Sequence, residues 1–218
     1  MNSPARWACS VASSLSSKKG VAKKITIGVM GPAGGTYSDE AYTKLVQLGR
    51  AIAEHDCILI TGGCPGFPYA AVQGAKAAGG MVVGISPGLS LDEHVQRYHS
   101  PTEGFDVLIY TGSGLMGREV ENIHSSDIVV IAGGRSGTLG EFAIAYDEGR
   151  LIGVLTKTGG ITNAVADLVP LFSEKPTGAV VLYDDDPGSL IDRLVKYYQT
   201  EHCKHPNCFC QPTPISVP

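Results

Sequence analysis

The chain has 218 residues, 43% of them hydrophobic, with a formal charge of −4; this length buries one substantial core and is short for two full domains. The acidic balance excludes the clustered Lys and Arg surface that a sequence-independent nucleic-acid binder needs, and no apolar run reaches the roughly eighteen residues of a membrane-spanning helix. The six cysteines are not spread as in a secreted disulfide framework, so the expected setting is a reducing cytoplasm and the expected partner a small molecule, with neither nucleic acid nor membrane.

Residues 1–24 carry Arg6, Lys18, Lys19, Lys23 and Lys24, many serines and no acid, the first carboxylate being Asp39. The composition is that of either an organelle transit peptide or a disordered extension. The lack of an arginine-rich amphipathic face favours the extension. From Ile25 onward, short apolar runs alternate with longer segments of helical period. The predicted strands are Ile25–Met30, Cys57–Thr61, Met81–Ser86, Asp106–Tyr110, Asp127–Ala132, Leu151–Thr156 and Gly178–Tyr183. Helices are predicted over Ser38–His55, Phe67–Ala78, Gly114–His124, Thr138–Gly149, Thr162–Phe172 and Pro187–Thr200. Ser38 is the N-cap candidate of the first, followed by Asp39 and Glu40, and Ala41, Leu45, Leu48 and Ile52 fall on one face of it.

Near-continuous apolar strands alternating with helices predict an α/β fold: a Rossmann-like, doubly wound, mostly parallel sheet of about seven strands with helices on both faces. The domain is expected over residues 25–200, followed by a Cys-, His- and Pro-rich tail over 201–218. Three glycine loops follow predicted strands and lie at the C-terminal edge of such a sheet. They contain Gly31, Gly34 and Gly35; Gly62, Gly63 and Gly66; and Gly133, Gly134, Arg135, Ser136, Gly137 and Thr138. Glycine lets the backbone approach a phosphate, and the start of the following helix offers unpaired N–H groups with a partial positive charge. Neither the dinucleotide fingerprint G-x-G-x-x-G after the first strand nor the P-loop signature is present.

The run from Asp127 through Gly133-Gly134-Arg135-Ser136-Gly137-Thr138 to Glu141 resembles the P-G-G-x-G-T-x-x-E motif of the LOG (Lonely Guy) family, formerly described as lysine decarboxylase-like. Arg118, in Gly117-Arg118-Glu119, falls where that family carries its catalytic arginine. Thr61-Gly62-Gly63 with Gly66-Phe67, and Gly79-Gly80 with Gly84-Ile85-Ser86-Pro87, resemble two further segments, so the likeness runs from about Lys24 to Tyr198. It implies a nucleotide-binding protein, usually dimeric. One branch hydrolyses the N-glycosidic bond of nucleoside 5′-monophosphates and is not a lysine decarboxylase; another resembles molybdenum cofactor carriers and binds without hydrolysis. Arg118 and Glu141 are then the catalytic candidates, and hydrolysis of this kind requires no cofactor.

The chemistry of the motif stands apart from its name. Ser136, Gly137 and Thr138 offer N–H and hydroxyl groups to a phosphate, and Glu141, one turn on, is placed to hold a ribose hydroxyl, activate water or stabilise an oxocarbenium-like centre. Arg118 supplies a cation that orients the phosphate or neutralises the departing base. Two positions depart from the family pattern. Glu119 stands where the cytokinin-activating branch has lysine, and Arg135 stands at a motif glycine, with Gly133 at the motif proline. Arg135 either reaches the ligand or occupies its place.

His94, His99 and His124 lack metal-ligand spacing and read as surface or packed side chains. Gly159-Gly160-Ile161-Thr162-Asn163 forms either a pocket rim or a plain helix-start turn capped by Thr162. Cys203, His205, Cys208 and Cys210 in the tail supply the ligand types of a structural zinc, though not in a standard knuckle spacing.

Overall fold

The computed structural model describes residues 23–172 and 177–202. Most of the N-terminal extension and the Cys203, His205, Cys208 and Cys210 cluster lie outside the described residues. In chain order the elements are β1 (Thr26–Met30), α1 (Asp39–Glu54), β2 (Ile58–Thr61), α2 (Phe67–Ala77), β3 (Val82–Ser86), β4 (Val107–Tyr110), α3 (Gly114–His124), β5 (Ile128–Ala132), α4 (Ser136–Asp147), β6 (Leu151–Leu155), α5 (Val165–Leu168), β7 (Val180–Asp184) and α6 (Pro187–Thr200). A π-helical turn, Glu93–Arg97, interrupts the β3–β4 connection.

Every strand pair is parallel, so the sheet is wholly rather than mostly parallel, and the order is β4-β3-β2-β1-β5-β6-β7. The chain winds outward from β1 to β4 and then returns to lay β5 against the other side of β1. The carboxyl ends of β1 and β5 therefore diverge into opposite crossovers and leave a crevice between them, the usual place for a ligand in an open parallel sheet.

Helices α1, α2 and α6 cover one face, burying Leu45, Leu48 and Leu194 against Ile27, Leu59 and Val130. Helices α3, α4 and α5 cover the other, where Ile123, Phe142 and Val165 pack on Met30, Val129 and Ile131. β5 and β6 are buried along their whole length, which is why they read as unbroken apolar runs. β4, at the edge, alternates instead. Val107 and Ile109 stand beside Val83 and Ile85 on the α3 face and are 42% and 46% exposed.

The predicted helix over Thr162–Phe172 is corrected: that segment is two 3-10 turns, Gly160–Asn163 and Val169–Phe172, around the short α5. The Thr162 hydroxyl donates back to the Gly159 carbonyl, and Pro170 has no N–H to continue a helical ladder. Helix α4 begins at Ser136, two residues before the predicted start. Ser38 does cap α1, its hydroxyl accepting the Ala41 N–H at 3.2 Å.

Helices α1 and α2 meet through glycine. A Cβ at Gly49 would lie 1.8 Å from the Ala71 carbonyl oxygen, and one at Gly74 would lie 1.8 Å from that of Val46. Glycine to alanine in an open helix stabilises by about 1 kcal/mol. Here the sign reverses, because rigid backbone occupies the space. Gly49→Ala is expected to destabilise by about 1–3 kcal/mol, read as a lower denaturation midpoint; an unchanged or raised midpoint would show that the helices do not cross this closely.

Candidate functional site

Three glycine loops reach the crevice, but only one leaves a helix start open. The first turn of α1 is occupied by the Ser38 cap and carries Asp39 and Glu40, which repel an anion. At α2 the Phe67 N–H donates to the Pro32 carbonyl at 3.0 Å, and Pro68 has no N–H. At α4 no side chain caps the first turn and no acid lies in it, so Ser136, Gly137 and Thr138 keep amides without intrahelical partners. All three of these residues line a cavity of about 330 Å³.

The β5–α4 loop holds this shape through glycine and through Thr158. Gly133 and Gly134 have φ of +56° and +87°, and a Cβ on Gly134 would stand 2.2 Å from the Thr138 Oγ1. Thr138 can therefore fold back over the loop only because position 134 has no side chain. The Gly133 N–H donates to the buried Thr158 Oγ1 at 2.9 Å, and that hydroxyl donates to the Leu155 carbonyl at 2.6 Å. The Ile161 N–H donates to the Gly134 carbonyl at 3.0 Å. The segment after β6 thus clamps the loop, and Gly159 and Gly160 line a second cavity of about 530 Å³.

Of the residues expected from sequence, Gly31, Gly62, Arg118, Arg135, Ser136, Gly137, Thr138 and Glu141 line the smaller cavity. Gly34, Gly35 and Gly134 line the larger, which Arg135 also borders. Gly63 and Gly66 line neither. Gly63 packs near His94 and Leu108, and Gly66 closes on the Pro32 carbonyl, both at positive φ. Asp127 sits at the far end of β5, where it accepts the Thr26 N–H and pairs with Lys23, tying β5 to β1. Gly159, Gly160 and Asn163, from the segment read as either a pocket rim or a helix-start turn, line the larger cavity; Tyr37, Cys64 and Lys157 also line the cavities, and no sequence pattern marked them as site residues.

Arg118 and Glu141, from α3 and α4, are 8% and 6% exposed. A Cβ at Gly62 would fall 1.4 Å from the Arg118 Nη1, so the guanidinium fills the room that glycine leaves. Its Nε is buried with no hydrogen-bond partner. Burial pushes the Glu141 carboxyl up to about 8; the Arg118 charge opposes this and Glu119 adds to it. Burial also raises Glu119, again against Arg118. The Cys64 thiol is raised by burial, while the charge of Arg118 pulls it down. Near neutral pH Glu141 therefore holds its proton and can donate a hydrogen bond into the cavity.

The histidines do no chemistry at this site. His94 is fully buried; its Nε2 donates to the Pro101 carbonyl at 2.9 Å, which leaves Nδ1 to accept from the Ser86 hydroxyl at 2.8 Å. His124 is exposed and pairs with Glu148. Among the described residues no group of three or more His, Cys, Asp or Glu side chains is placed to hold a metal. No described helix is long and apolar enough to cross a membrane.

Comparison with known proteins adds to this geometry. The sequence model of the SLOG cluster4 family matches residues 24–191. A protein of Archaeoglobus fulgidus is 36% identical over 133 residues, which span 61% of this chain and 81% of that protein. The molybdenum cofactor binding protein of Rippkaea orientalis superposes with a TM-score of 0.67 at 29% identity, covering 83% of this chain and 100% of its own. The molybdenum cofactor carrier protein of Chlamydomonas reinhardtii does so with a TM-score of 0.65 at 29% identity, covering 80% and 98%.

The raised carboxyl makes a signed prediction. Glu141 binds its proton more tightly folded, near 8, than at its ordinary 4.5, so its favourable contribution is complete below about 4.5 and is lost as pH rises through about 8. Glu141→Gln keeps the shape and never ionises. Its stability relative to wild type should rise between pH 5 and pH 9, by on the order of a few kcal/mol, in denaturant titrations of both proteins. A difference independent of pH would mean that Glu141 is ionised and solvated in the native state.

Proposed function

The chain belongs to the SLOG cluster4 family, and from that premise we propose that it is a carrier that holds a phosphorylated heterocycle at the start of α4, with molybdenum cofactor as its cargo. The observation that carries this reading is the open first turn of α4. Its amides line a cavity at the switch point of the sheet, with no capping side chain and no acid in that turn, and with the Glu119 carboxyl of α3 facing Gly137. A phosphate there gains hydrogen bonds and the favourable end of the helix dipole. The likeness to the Rippkaea and Chlamydomonas proteins, over nearly their whole lengths, supports cofactor binding as the use of such a site.

A second reading rests on Arg118 and Glu141, which lie buried in the same cavity as the phosphate-binding amides. In it the chain hydrolyses a nucleoside 5′-monophosphate: water adds across the N-glycosidic bond, its hydroxyl to the sugar and its proton to the base. Burial keeps Glu141 protonated near neutral pH, a state suited to giving the departing base its proton. A protonated Glu141 suits donation of a hydrogen bond to a retained cargo. The likeness to the Rippkaea and Chlamydomonas proteins makes the carrier reading the preferred one.

We further propose that two copies associate through the uncovered end of the α3 face, where Val107, Ile109, Leu115 and Met116 are exposed. Leu115 also lines the smaller cavity, so a second copy would border its mouth.

Mass spectrometry of gently purified protein from a molybdenum cofactor-producing host should find the cofactor or its oxidised pterin retained, and AMP should be recovered intact after incubation. Release of adenine and ribose 5-phosphate would overturn the carrier reading in favour of hydrolysis. Light scattering should give the mass of a dimer for wild type and of a monomer for Ile109→Lys; a monomeric wild type would remove the proposed interface.

A further inference from the structure

Arg135 divides the crevice. It stands at the N-cap of α4, and its Nη1 reaches to within 3.3 Å of where a Cβ on Gly35 would be, across on the β1 side. Arg135 and Pro32 are the two residues that border both cavities. The guanidinium thus forms a bar between two chambers, and its donors have no protein acceptor among the described residues.

The anion-binding amides lie at this bar. Gly134 borders the larger chamber, while Ser136, Gly137 and Thr138 border the smaller. An anion subsite at the end of a single pocket suits a terminal phosphate. One with space on both sides suits a phosphate inside a ligand.

Each chamber, at about 530 and 330 Å³, is large enough for one head group, since small-molecule sites run from about 300 to 1,000 Å³. The larger offers the half-buried Tyr37 ring, backed by the fully buried Phe67 ring 4.8 Å away and tilted by 48°, with Asn163 at its border. The smaller offers Met30 and Leu115 as apolar wall and the buried, unpartnered Nε of Arg118 as a donor. That orphaned donor belongs to a side chain more than nine-tenths buried, and it calls for an acceptor that the protein does not supply.

We propose that the ligand is two-headed, a pair of ring systems joined by a pyrophosphate, with the pyrophosphate beneath Arg135 at the start of α4 and one head in each chamber. The inference rests on the phosphate reading of α4 and narrows it to the dinucleotide class, so that the proposed cargo is held in a form extended through its phosphate by a second head. The two charges of a pyrophosphate diester meet the guanidinium of Arg135 and the helix amides together, in charge-assisted hydrogen bonds.

Calorimetric titration of the full chain with AMP, inorganic pyrophosphate and diadenosine 5′,5′-diphosphate tests this. The diphosphate should bind about tenfold or more tightly than AMP, because its second head docks at high effective concentration. Two variants locate the heads. Asn163→Trp fills the larger chamber from an exposed turn and leaves α4 untouched; Arg118→Gln removes the cation of the smaller. Thermal melts confirm that each is folded. The diphosphate should lose affinity in both variants, and AMP in only one. Equal affinity for AMP and the diphosphate, or a diphosphate insensitive to either folded variant, would overturn the two-headed ligand while leaving the phosphate site in place. If none of the three probes binds, the phosphate reading of α4 falls and this inference falls with it.

Discussion

The site depends on a missing side chain. Gly62 ends β2 without a Cβ, and the Arg118 guanidinium lies in that room, where any other residue would collide with its Nη1. A buried cation is costly unless it is paired and fully hydrogen-bonded. Arg118 has neither an ion pair within 4 Å among the described residues nor a partner for its Nε. The acids nearest in effect, Glu141 and Glu119, are themselves raised by burial. The cavity thus holds a buried cation and free helix amides beside two acids whose charged forms burial disfavours, and on the proposed reading a phosphorylated ligand supplies the missing acceptors.

Topology turns that local feature into a site. The reversal of strand order between β1 and β5 opens the crevice, and the three glycine loops divide the work around it. The loop after β1 supplies one wall, and its Pro32 carbonyl closes the start of α2. The loop after β2 gives up its side chain at Gly62 to admit Arg118. The loop after β5, clamped by Thr158 and Ile161, alone presents free helix amides. Rigid strands set these distances, so the site does not depend on loop packing alone.

Much of the fold was legible in the sequence, because strands buried on both faces must be continuously apolar and the loops between them must turn at glycine. β5 and β6 are plain for this reason, and even edge strand β4 was found through its aliphatic run. Hydrophobic period does not reveal that Thr162 turns its hydroxyl back to Gly159, so by period alone the segment before β7 reads as one helix. Nor does period reveal the buried His94, whose ring is satisfied by a serine and a distant carbonyl. Within the site, the motif around Gly133–Glu141 and Arg118 was legible, and the structure brings Arg118, Ser136, Gly137, Thr138 and Glu141 into one cavity. At the second glycine loop a carbonyl 35 residues upstream in the chain occupies the helix start, a pairing that glycine spacing does not reveal. Tyr37, Cys64 and Lys157 carry no pattern of their own; only the third dimension gathers them. The path of Arg135 across to Gly35 places the side chain where it can touch a ligand from two sides.

The central claim is that a phosphorylated ligand binds on the first turn of α4. The most direct measurement is an amide ¹H–¹⁵N correlation spectrum of the labelled protein during titration with AMP. The account predicts that the largest saturable shifts fall on Arg135, Ser136, Gly137 and Thr138, with the amides opening α1 and α2 far less affected. Saturable shifts centred on another surface, with those four amides unmoved, would contradict it.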